Sequence, residues 1–69
     1  MKFKAIIEQD ENGFYGYIPA LYGCTYQGVD LNDVLAGLEN SAKEYLNDLP
    51  ESELEHIKQK KTAVVDIEV

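Results

Sequence analysis

From Leu31 to Leu49 the apolar residues return at intervals of three and four: Leu31, Val34, Leu35, Leu38, Ala42, Tyr45, Leu46 and Leu49. That spacing draws one stripe along an amphipathic helix of about five turns, and such a stripe has to be covered by another element. Asp30 stands where an N-cap belongs, and Asp33 places negative charge in the first turn, where the helix dipole favours it. Gly37 and Asn40 fall off the stripe, and Gly37 is expected to cost about 1 kcal/mol against alanine. Pro50 stops the helix or opens the next piece. Residues 51–60 read as a short second helix, acidic at its start and lysine-rich at its end.

The covering element is written upstream, where the period changes to two. Residues 2–8 alternate, with Phe3, Ala5 and Ile7 on one face and Lys2, Lys4, Ile6 and Glu8 on the other. Asn12-Gly13 suits positive φ and a hairpin turn. Residues 14–18 alternate again, with Phe14, Gly16 and Ile18 opposite Tyr15 and Tyr17, and Pro19 ends the run because it lacks a ladder donor. Residues 24–27 make a third short strand, closed by Gly28. Residues 62–69 alternate once more, with Ala63, Val65, Ile67 and Val69 on one face and Asp66 and Glu68 on the other. The expected class is α+β in the order β-β-β-α-(short α)-β: an antiparallel sheet covered by one long helix. The last strand is expected to rejoin the sheet beside the first strand or at an edge.

The chain has 69 residues, and no linker or repeat divides it, so residues 1–69 are read as a single domain. A core of this size rarely supplies more than about 3–5 kcal/mol. Cys24 has no disulfide partner, and one cysteine with one histidine cannot build a four-ligand zinc site. No metal or cofactor is expected. Oligomerisation, to a dimer or tetramer, is the remaining common way to stabilise so small a fold. The first residues are unlike a secretory leader, since Glu8, Asp10 and Glu11 follow too soon. No run approaches the roughly 18 apolar residues of a membrane span. The expected compartment is the cytoplasm.

Thirteen acids against six lysines, with no arginine, give a net charge of −7. Nucleic-acid binding needs a basic footprint to displace counterions, so direct binding is not expected. Lys58-Gln59-Lys60-Lys61 is the one basic cluster, and it reads as a solvated helix end. An acidic surface favours a basic protein partner, although negative charge also simply keeps a small protein in solution.

No residue suggests catalysis. His56 has no nucleophile or orienting group beside it in sequence. Cys24 has no basic neighbour to lower its pKa, and it reads as a buried structural thiol. Glu8, Asp10 and Glu11 fall at a hairpin, while Asp66 and Glu68 alternate on a distant segment, so a converging magnesium site is not expected. The tyrosines say more. Tyr15 and Tyr17 share the outward strand face, and Tyr22 and Tyr26 flank the third strand. Tyrosine is favoured at interfaces, although it also fits any half-buried sheet.

The run Gly13-Phe14-Tyr15-Gly16-Tyr17-Ile18-Pro19-Ala20-Leu21-Tyr22-Gly23-Cys24-Thr25-Tyr26-Gln27-Gly28 resembles the signature of the HicB-like antitoxins. In that family an aromatic strand leads into Pro-x-Leu-x-Gly-Cys, then Gln-Gly, then an acid-capped helix. The resemblance covers essentially the whole chain. On physical grounds the motif residues Pro19, Leu21, Gly23, Cys24, Gln27 and Gly28 read as builders of the fold. The resemblance implies a partial ribonuclease-H-like fold without catalytic acids, pairing with a small basic HicA-like toxin that cleaves RNA with a histidine. Such an antitoxin acts by covering the toxin's active surface. Many members continue into a DNA-binding domain, whereas this sequence stops at Val69, so operator binding is not expected to carry over. The helix start here also lacks the family's usual Thr or Ser cap, a role Asp30 can fill.

The expected partner-binding residues are Glu8, Asp10, Glu11, Tyr15 and Tyr17. The alternative is a stand-alone regulatory or ligand-binding domain of the same fold without a toxin partner.

Overall fold

The computed structural model describes residues 1–69. Strands β1 (Ile6–Asp10), β2 (Gly13–Tyr17) and β3 (Thr25–Gly28) form an antiparallel sheet in the order β1-β2-β3. Helices α1 (Leu31–Asn47) and α2 (Glu51–Gln59) follow. The α+β class, the three antiparallel strands and the covering long helix are as expected. No helix is long and apolar enough to cross a membrane.

The expected strand at residues 62–69 does not form, and Ala63 onward is exposed. A strand exists only against a partner ladder, and neither sheet edge of this chain takes that segment up. The first strand also starts later than residue 2. Ile6 pairs with Tyr17, and the Ile18 N–H points the other way, to the Cys24 carbonyl at 3.0 Å, so the next β2 residue that would serve β1 is Pro19. Proline has no N–H to give. The ladder therefore runs out of partners below Ile6. β2 is shifted one residue earlier than residues 14–18, and β3 one later than residues 24–27, because Ile18 and Cys24 close the intervening loop.

The hairpin uses its residues differently from the expected turn. Glu11 and Asn12 keep negative φ, and only Gly13 is positive, at 130°. Asp10 Oδ1 accepts the Asn12 N–H at 2.8 Å, which folds the turn from its own side chain.

α1 begins as its sequence suggests. Asp30 Oδ1 accepts the Asp33 N–H at 2.8 Å, and Asp33 Oδ2 reaches back to the Val29 N–H at 3.4 Å. A Cβ on Gly28 would lie 2.5 Å from that Asp33 oxygen, which explains a glycine at this position. The helix lies across β2 and β3. It packs tightly over Gly16, where a Cβ would meet Val34, Ile7 and Leu38 methyls at 2.7–2.8 Å.

Gly37 corrects the sequence reading. It is buried, and a Cβ there would meet three Tyr26 ring atoms at 2.4–2.5 Å. The missing side chain lets the Tyr26 ring lie on the helix backbone. Leu31 and Leu35, placed on the stripe by spacing, remain 43% and 44% exposed at the helix's N-terminal end. Gly37→Ala should therefore destabilise the protein, although alanine is intrinsically the better helix former by about 1 kcal/mol. With Tyr26→Ala also present, the same change should stabilise by about that amount. Urea midpoints of the four proteins check this sign reversal.

Candidate functional site

The segment between β2 and β3 is a compact structural unit. Leu21 N–H donates to the Ile18 carbonyl and Cys24 N–H to the Leu21 carbonyl, both at 3.0 Å. Gly23 takes φ +82°, the value that the third residue of a type II turn requires. These turns drive Leu21 and Cys24 inward, where they join Ile18, Val34, Leu38, Ala42 and Ile57 in the core. The motif residues Pro19, Leu21, Gly23, Cys24 and Gly28 thus have structural tasks visible in the geometry, and Gln27 lies on the opposite, outward face beside Tyr15.

Burial pushes the Cys24 thiol above its ordinary pKa. Only the thiolate attacks alkylating reagents, so native Cys24 should react far more slowly than the same thiol in denaturant. The sign of the pH effect follows. The folded pKa lies above the unfolded one, so this contribution to stability is complete below the unfolded value of about 8.5. It is lost as pH rises through the folded value, because the unfolded chain ionises first. Alkylation rates and urea midpoints between neutral and alkaline pH test both statements.

The outward sheet face brings together the residues expected to bind a partner. Glu8 sits directly across from Tyr15, and Tyr15 is flanked on its other side by Gln27. Tyr17 follows on the same face, opposite Ile6 and Thr25. The two rings lie 6.1 Å apart with planes tilted by 40°, a geometry suited to mutual support. Asp10 ends the same row, and Glu11 stands in the adjoining turn, so both charges border the rings. Tyr15 also separates two shallow depressions. One, of about 320 Å³, is lined by Glu8, Gln9, Asp10 and Gln27; the other, of about 310 Å³, by Tyr17, Tyr22 and Thr25 among others.

Tyr26 leaves this group, because its pairing with Gly16 turns it to the helix side. Tyr22 stands almost free of contact in the loop. His56 is exposed on α2. No three acidic, histidine or cysteine side chains gather in a metal-binding arrangement.

One grouping was not anticipated. Lys58 and Lys60, read as a solvated helix end, meet Lys2 and Lys4 around a common cavity. The signal was present as lysines at both ends of the sequence, but only the fold shows that those ends adjoin.

The chain is 35% identical over 69 residues to a UPF0150 protein of Helicobacter pylori, covering 100% of this chain and 96% of that protein. The chain belongs to the UPF0150 family. A second UPF0150 protein, from Thermoplasma acidophilum, is 36% identical over 50 residues, covering 71% of this chain and 72% of its relative. No family model matches the chain, and no solved structure matches it. The names of these UPF0150 relatives carry no activity or partner, so function rests on the geometry.

Proposed function

We propose that this UPF0150 chain is a HicB-like antitoxin, with a partial ribonuclease-H-like fold, that neutralises a small basic HicA-type toxin in the cytoplasm and catalyses nothing itself. The observation that carries this reading is the bare outward sheet face. Helix α1 covers one side of the sheet, and the molecule is only 16 Å thick in its shortest dimension, so no second layer covers the other. That open side presents Tyr15 and Tyr17 bordered by Glu8, Asp10 and Glu11. Aromatic anchors within an acidic rim suit a basic, RNA-binding surface, which must itself be cationic to hold phosphate. The net charge of −7 adds long-range steering toward such a partner.

The test is to search the neighbouring genes for a short basic reading frame and to assay inhibition of RNA cleavage by its product. One equivalent of the antitoxin should abolish cleavage, and the protein alone should cleave no RNA with Mg²⁺ or Mn²⁺. Undiminished cleavage in the presence of excess antitoxin would move the reading to a stand-alone regulatory domain. Metal-dependent cleavage by the chain itself, lost in Glu8→Gln or Asp66→Asn, would make it a nuclease.

A further inference from the structure

Residues 1–5 and 61–69 lie outside every helix and strand, and none of the turn, loop or cap hydrogen bonds involves their backbone. Both segments nevertheless alternate like strands. In the first, Phe3 and Ala5 alternate with Lys2 and Lys4; in the second, Val65 and Ile67 alternate with Asp66 and Glu68. Val65 is 75% exposed and Ile67 82%, a costly arrangement for β-branched side chains in water. The radius of gyration is 13.2 Å, against about 11 Å for a compact chain of this length. The last residues project from the body.

Beside the N-terminal segment, the surface opens into a cavity of about 330 Å³ with Phe3 and Ile57 in its lining. Lys2, Lys4, Lys58 and Lys60 stand around it, four of the six lysines in an otherwise acidic protein. Thr62 also lines this cavity, but the chain leaves it from Ala63 onward. β1, which this segment leads into, is an edge strand with an open ladder.

We propose that residues 62–69 of one copy pair as a strand with residues 1–5 of a second copy, reciprocally, in a two-fold dimer. The two alternations are complementary. With the apolar faces aligned, Val65 and Ile67 cover the cavity beside Phe3, and Asp66 and Glu68 meet the lysine rim. The occupant is a second copy because the segment's own chain directs it away from the cavity at whose margin it starts. Exchange of identical segments also satisfies both copies at once, the usual low-cost route to a dimer. The pairing covers β1's exposed approach and adds apolar burial to a core too small to be comfortable alone. It does not depend on the antitoxin reading, since it uses residues 1–5 and 62–69, none of which belongs to the acidic tyrosine face.

Sedimentation analysis across the micromolar range should give a dimer mass for the full chain. Val65→Asp with Ile67→Asp should weaken the dimer on the order of 100-fold and leave far-ultraviolet circular dichroism unchanged, since both side chains are exposed in the single copy. Lys2→Glu with Lys4→Glu should also weaken it, and adding Asp66→Lys with Glu68→Lys to that same chain should restore it. In a mixture of unlabelled and isotope-labelled protein, a zero-length amine–carboxylate crosslinker should join Lys2 or Lys4 of one chain to Asp66 or Glu68 of the other. A monomer mass throughout, or a dimer indifferent to the Asp substitutions, overturns the proposal. Crosslinks confined within single chains overturn it too, and would place the segment on its own sheet.

Discussion

Leu21→Ala should leave much of the protein unfolded at room temperature. Leu21 is 1% exposed and sits on a connecting loop, yet it belongs to the packed core cluster. The loop cannot settle into the space an alanine would leave. Its two turns are fixed by the bonds from Leu21 and Cys24 N–H, and its ends are tied by the Ile18–Cys24 bond. Truncating a buried leucine costs roughly 2–5 kcal/mol, more where the surroundings cannot relax. A core of this size supplies about 3–5 kcal/mol in total. The substitution therefore removes most of the margin. Leu21→Met keeps nearly the same volume and should cost less than about 1.5 kcal/mol. Urea titration followed by circular dichroism separates the two, and an unchanged midpoint for Leu21→Ala would show that the loop is not part of the core.

Loss of both outward tyrosines should have the largest effect on partner binding. In Tyr15→Ala with Tyr17→Ala, dissociation from the basic partner should accelerate, by about 30-fold or more per ring if each carries the roughly 2 kcal/mol typical of a central aromatic anchor. Association should change little, because rings contribute little to steering. Asp10→Lys with Glu11→Lys should do the opposite: slow association with a smaller effect on release. That slowing should shrink when salt rises, since exposed charges are screened beyond about 8–10 Å at ordinary ionic strength. None of these side chains is in the core, so the variants should stay folded; Asp10→Lys also loses the Asn12 N–H bond and should lower the urea midpoint by the equivalent of about 1 kcal/mol. Surface plasmon resonance at two salt concentrations reads both rates. If all four substitutions leave both rates unchanged, the partner meets another surface, and the helix face around Glu39, Lys43 and Glu44 becomes the next to test.

Much of the architecture was legible in the residues. The helix from Leu31, its Asp30 cap, the break at Pro50 and the inward–outward alternation of β2 all follow from local rules, and local rules operate within a turn or a strand. The candidate face was legible for the same reason. Once β2 is a strand, Tyr15 and Tyr17 must share a side, and hairpin pairing with β1 sets Glu8 beside them.

What the tertiary structure decided depends on partners distant in sequence. Residues 62–69 have the pattern of a strand, but a strand needs a ladder to pair with, and pattern cannot supply one. β1 begins at Ile6 because the β2 position that would pair beyond Tyr17 is Pro19, which has no N–H, so the limit is set by a residue at the partner strand's far end. Gly37 is a weak helix former by propensity, and only the fold sets the Tyr26 ring on its bare backbone. Lys2, Lys4, Lys58 and Lys60 belong to opposite ends of the chain, and only folding brings them around one cavity. Sequence determined the elements and their faces through short-range sterics and periodicity; which faces and edges meet was decided by long-range packing.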